Sequence, residues 1–358
     1  MTLHKKIYLP IIAGALFTAS CNKASNSGQN TASFTTTEQT VIKDFVSNVA
    51  LAQYGNLTST AVSLSSSINS LSTTPTTANL QAAQASWKSV RITWEQCEGF
   101  LFGPVEDNNY DPNTDTWPTD YVQMDSLLAS SNPLQTSDIA NLPQSLRGYH
   151  PIEYVIFGHG QGRKVSDITP RLMQYAVSLA ADLLNNNVQP LYQSWTSAPT
   201  NYAQQVLTAG SGSTKFPKRQ DLFLAIQGAM ADICNEVGTE KMFDPFINKD
   251  SLLTESPYSD NTLIDFKNNI IGLQNVYLGL NGGTGIKDLV AAKNKSLDNQ
   301  IQAQITSAIN SFGNITLSYE LAIYNQRTQV QQTMTQLVTL KSLLDNDLKN
   351  FITQYVQD

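Results

Sequence analysis

Histidine and cysteine, the residues that most often carry metal and nucleophile chemistry, are scarce here, with three of each in 358 residues. Three cysteines cannot staple a chain of this length, and no CxxC pair is present to hold zinc or a redox couple. HExxH and GxSxG are also missing, which leaves the common zinc-protease and serine-hydrolase sites without sequence support. Positive charge is short as well. Lys and Arg total 22 against 29 Asp and Glu, a formal charge of -7, and no basic run could follow a phosphate backbone, so nucleic acid is not an expected partner. No apolar run reaches the roughly 18 residues that a transmembrane helix needs, and no alternating apolar and polar run signals a hairpin.

What is present begins with an address. Lys5 and Lys6 precede an apolar stretch over 7–17, and Thr18, Ala19 and Ser20 lead to Cys21. This reads as a secretory signal peptide over 1–20. Cys21 stands in the lipidated position of a bacterial lipobox, although Thr18 occupies a place where Leu is commoner. Residues 22–37, rich in Ser, Asn, Thr and Gln with Lys23 their sole charge, read as a flexible tether. The expected location is the bacterial cell envelope, lipid-anchored, on the periplasmic side or the cell surface.

Beyond the tether the apolar residues recur at three-four spacing. Leu80, Ala83, Trp87, Val90, Trp94, Cys97 and Leu101 form one helix face, and Val330, Met334, Leu337, Leu340, Leu344, Leu348, Phe351 and Tyr355 form another. Residues 170–195, 218–246, 261–280 and 298–311 read as further helices. The fold class is all-α, two packed helical bundles. The segment 208–214 (TAGSGST) is the clearest break, placing one bundle at 38–207 and the other at 215–358.

His150 and His159 are the histidines left after the signal peptide, so each is informative. His150 and Glu153, three apart, would share a helix face as a metal-binding pair. They equally fit a helix start, with Pro151 in the first turn, His150 as N-cap and Glu153 bonding back to the backbone. Arg91, Glu95 and Glu98 share a stripe beside the tryptophans, either a salt-bridged solvated face or a convergence of two carboxylates on a guanidinium. The acidic loop 106–120 starts like a calcium loop at Asp107, Asn109 and Asp111, but Pro112 and Pro118 break the pattern. The glycine-rich 158–162 reads as an exit from the His150 helix. Cys97 and Cys234 read as core residues, with a disulfide between them open in an oxidising compartment.

The segment Gly148-x-His150-x-x-Glu153 resembles the signature of the imelysin-like family. Arg91 with Glu98-Gly99-Phe100, and Trp117-Pro118 later, resemble that family's first-domain pattern. Glu255-Ser256, Ser259, Asn261-Thr262, Asp265, Asn269-Ile270, Tyr277 and Gly279 resemble its second. The resemblance implies two bundles related by duplication, with the motif in a cleft between them. It also implies an envelope protein tied to iron uptake, with an iron-transport or redox protein as partner, or else a metal-dependent peptidase. On this reading His150, Glu153 and Glu98 hold a metal or ligand. Arg91, Gly148, Glu255, Ser259 and Asp265 support them, and Glu153 would be the base if the protein is a peptidase; no other catalytic residue is assigned. Two histidines among many carboxylates suit iron better than zinc or calcium. A haem-binding or partner-binding module is the remaining reading, since His150 lies between Tyr149 and Tyr154.

Overall fold

Two apolar stripes decide the architecture. The structure, a computed structural model, describes residues 27–357, and their side chains from residue 34. The signal peptide, Cys21 and the first residues of the expected tether lie outside the described residues. The chain is 76% helical, with no strand among the described residues, so the all-α reading holds.

Helix α1 (Ser27–Asp44) continues through a π-helical turn into α2 (Leu51–Thr73). It starts inside the segment expected to be a tether. The reason is visible from Phe34 onward: Phe34, Val41, Ile42 and Phe45 follow helical spacing and are buried, and Glu38 receives a 2.7 Å bond from Arg219. Helix α3 (Thr77–Cys97) begins where the Thr76 side chain accepts the Asn79 N–H. Its stripe from Leu80 to Cys97 is buried, and Leu101 lies half-buried just beyond. Further along come α4 (Tyr149–Phe157), α5 (Pro170–Asp182), α6 (Arg219–Glu236), α7 (Thr262–Leu278), α8 (Lys295–Phe312) and α9 (Arg327–Ser342). Helix α9 runs on through another π-helical turn to Lys349–Tyr355, burying its stripe from Val330 to Phe351.

Helix α3 is the central strut, packed on α2 and α4 from the first half of the chain and on α7 from the second. Core residues on both sides of 208–214 form one continuous apolar cluster. The closest approach is between glycines. A Cβ on Gly99 would stand 2.4 Å from the Gly272 carbonyl carbon, and one on Gly272 would stand 2.3 Å from the Gln96 oxygen. Only bare backbone lets the end of α3 touch α7 at this point. The two cysteines are separately buried free thiols, so the disulfide left open by the sequence is not formed.

Candidate functional site

The end of α3, the start of α4 and the segment 254–269 meet in a layer that is buried yet charged. Arg91 and Glu95 from α3, Glu98 from the turn just past its end, Asp115 from the loop before α4, His150 and Glu153 from α4, and Lys241, Glu255 and Asp265 from the second half are each at most 8% exposed. The solvated-face reading of Arg91, Glu95 and Glu98 therefore gives way to convergence. The helix-start reading of His150 gives way too. Gly148 is the N-cap of α4, without a side-chain bond, and both His150 and Glu153 point into the layer from within the helix.

Gly148 explains how this geometry is reached. Its φ is +78°, and a Cβ there would come within 1.9 Å of the Thr114 carbonyl oxygen. The missing side chain lets the chain before α4 lie against residue 114, which delivers the adjacent Asp115 to the histidine. The acidic loop around it, whose calcium-loop pattern the prolines break, folds as short helical turns at Pro104–Asp107 and Tyr110–Thr114, and exposed Asp107 pairs with Lys215.

Arg91 is the hub. Its guanidinium contacts Asp115 and Glu95 directly, reaches Glu255 at 3.0 Å and lies 3.6 Å from Asp265. The Trp94 indole donates to the second Asp115 oxygen at 2.6 Å. Asn269 donates to Glu95 at 2.5 Å and to Glu98 at 2.6 Å. Asp265 is held by Ser256 at 2.6 Å and Asn261 at 2.7 Å.

Glu153 and His150 take unequal parts. One Glu153 oxygen accepts from the Tyr258 N–H, the Ser259 N–H and the Ser259 hydroxyl at 3.1, 2.8 and 2.6 Å, tying α4 to the second half. The other lies 3.4 Å from His150 Nδ1. His150 Nε2 lies 3.1 Å from Asp115 and 3.7 Å from Glu255, but neither is aligned as a hydrogen bond, and Nε2 has no partner. The second Glu255 oxygen is likewise without one. Buried polar atoms are rarely left so, and both belong to the group Asp115, His150 and Glu255, each of which offers one ligand atom within 4.8 Å of the others. Asp115 also belongs to a second such group with Glu95 and Glu98.

The charge states divide along the same line. Burial alone would raise Asp115 and Glu255, but Arg91 and His150 beside the first, and Lys241 and His150 beside the second, hold both below the usual carboxylate range. Burial pushes Glu95 and Glu98 well above it in spite of Arg91 and Lys241, and lifts Asp265 to about 6. Burial would lower His150, but the carboxylates of Asp115, Glu153 and Glu255 around it outweigh burial and raise the imidazole well above its ordinary value. An arriving cation would displace that proton from Nε2, while Nδ1–H stays on Glu153, the usual orientation of a metal-binding imidazole. A donor set of one nitrogen and carboxylate oxygens fits a hard or borderline ion such as iron, and the orphaned atoms fit a missing ligand.

Every expected site residue within the described part lies in or against this layer; Cys21 is not among the described residues. Asp115 and Lys241 were not anticipated. Asp115 sits in the acidic loop that the sequence did single out, but nothing in its spacing points to His150. Lys241, at the end of a π-helical turn after α6, carries no pattern at all.

With this geometry in place, relatives can be compared. The family model for imelysin, a peptidase family by designation, matches residues 50–344. Iron-regulated protein A of Synechococcus elongatus is 32% identical over 245 residues, covering 68% of this chain; the match spans 65% of that protein's length. Among solved structures, an iron-regulated protein A precursor from Parabacteroides distasonis superposes with a TM-score of 0.75 at 26% identity, covering 88% of this chain and 95% of that one. An imelysin-like protein from Psychrobacter arcticum has the same fold, with a TM-score of 0.69 at 10% identity over 87% of this chain and 94% of that one. The ordered motifs, the fold and the family match agree, and the chain belongs to the imelysin family.

Proposed function

We propose that this protein is an envelope-anchored lipoprotein that binds a metal ion, iron foremost, between Asp115, His150 and Glu255, and that it serves iron acquisition. The observation that carries the reading is the pair of unpartnered buried atoms, His150 Nε2 and a Glu255 oxygen, beside an ionised Asp115. The naming of two relatives as iron-regulated proteins supports iron over other ions. Glu153 orients the imidazole instead of binding the ion, since one of its oxygens already accepts three donors. That occupancy weighs against Glu153 as the base of a peptidase. The near-complete burial of the layer weighs against both a peptide and a haem, which would need the helices to part.

The test is calorimetric titration of the metal-free protein with ferrous iron, chelated ferric iron, zinc and calcium, repeated on His150→Ala and Glu255→Gln. Iron binding that falls at least tenfold in both variants supports the proposal. Absence of binding by the unaltered protein, or binding indifferent to both substitutions, overturns it.

A further inference from the structure

The layer contains two groups that could each hold a cation, sharing Asp115, and they differ in how their oxygens are served. In the group of Asp115, His150 and Glu255, two buried side-chain atoms, His150 Nε2 and one Glu255 oxygen, have no hydrogen-bond partner. In the group of Glu95, Glu98 and Asp115, the protein has already placed donors on every carboxyl group. Glu95 has Arg91 and Asn269, Glu98 has Asn269 and Lys241, and Asp115 has Arg91 and the Trp94 indole. Lys241 is the unusual member. Its ammonium, on a side chain 5% exposed, lies 3.7 Å from Glu98 and 3.4 Å from Glu255, one carboxylate from each group, and 3.1 Å from Glu236, which is 42% exposed.

We infer that Lys241 is a built-in cation that holds Glu98, one carboxyl group of the second position, and limits the site to a single metal ion. Formal charge supports this. By side-chain type the layer holds six carboxyl groups, Glu95, Glu98, Asp115, Glu153, Glu255 and Asp265, against Arg91 and Lys241 as its permanent cations, and Lys241 lies against two of them, Glu98 and Glu255, the first of which a second ion would need. A lysine ammonium is compact and bonds in any direction, so it can stand where a spherical ion would, between Glu98 and Glu255, in a way that the flat Arg91 fork cannot. Lys241 is therefore a specificity-determining residue: it sets how many ions the carboxylates accept.

This inference rests on the proposed metal site, and its test separates the two. The number of ferrous or zinc ions bound per chain is counted by native mass spectrometry and elemental analysis for the unaltered protein, Lys241→Met, Lys241→Arg and the double variant Lys241→Met with Glu98→Gln. One ion in the unaltered protein and in Lys241→Arg, two in Lys241→Met, and a return to one in the double variant is the expected pattern. One ion in Lys241→Met overturns the inference and leaves the metal site standing, as do two ions in the unaltered protein. No ion in any of the four removes both. If Lys241→Met does not fold without metal, the double variant, which has one carboxylate fewer to compensate, carries the test: a count of two there overturns the inference.

Discussion

The long C-terminal helix that starts with α9 and the charged layer at the end of α3 are equally hidden from water and are held by opposite physics. Val330, Leu337, Leu340, Leu344 and Leu348 need only apolar neighbours of suitable volume, and nothing about their burial depends on a named partner. Arg91, Asp115, His150 and Glu255 are tolerable inside only because each faces particular atoms at particular distances. Burial alone therefore says little about function. What marks the layer as a site is that its buried hydrogen bonding is left incomplete, at His150 Nε2 and one Glu255 oxygen as well as at Arg91 Nε, Asn261 and Asn269.

The comparison can be broken most forcefully at Arg91. Arg91→Met keeps much of the side-chain volume but strands four carboxylates, and should cost about 3 to 5 kcal/mol in denaturant unfolding of the metal-free protein. A loss below about 1 kcal/mol would mean that the layer is not held by this guanidinium. Leu340→Ala, in the apolar helix, should cost about 3 kcal/mol, the combined price of lost burial and a cavity.

A third prediction uses Glu320, on the short helix Tyr319–Asn325 and away from the proposed ligands. Burial pushes its carboxyl up to about 7, although Thr262 and Thr254 donate to it and lower it. Its ordinary value is 4.5, so the folded state holds this proton more tightly than the unfolded one. The resulting stability is full below about pH 4.5 and is lost as the pH rises through about 7, up to about 3 kcal/mol in all. Unfolding of the metal-free protein measured from pH 4.5 to pH 8 should show this decline, and Glu320→Gln should flatten it; an equal decline in the variant would assign it to other groups. The smallest effect belongs to Leu340→Met, which conserves volume and should cost less than about 1.5 kcal/mol by the same unfolding measurement. A cost matching that of Arg91→Met would erase the distinction between the two regions.

The same distinction decides what could be read from the sequence. Apolar periodicity announces itself within one segment, so the stripes from Leu80 and from Val330, the helices around 170–195 and 261–280, and the all-α class were legible. His150, Glu153 and Glu98 were reachable because their neighbours form recognisable motifs. Asp115 and Lys241 were not, because their positions are set by contacts distant in sequence. Gly148 against residue 114 brings in the first, and the turn after α6 brings in the second. The choice between an N-cap and an inward-facing His150 was equally open, since Gly148 could cap the helix in its stead and only tertiary packing reveals that it does. Helix α1 hid for a related reason. Its Ser, Thr and Gln look like a linker in the sequence until Phe34, Val41 and Ile42 find their partners.

The most direct measurement is anomalous diffraction at the iron edge from crystals of the protein soaked anaerobically in ferrous iron. A single peak bounded by Asp115, His150 Nε2 and Glu255, with Glu153 still on His150 Nδ1, is the predicted result. An empty layer, or iron bound only elsewhere on the chain, would contradict the metal site.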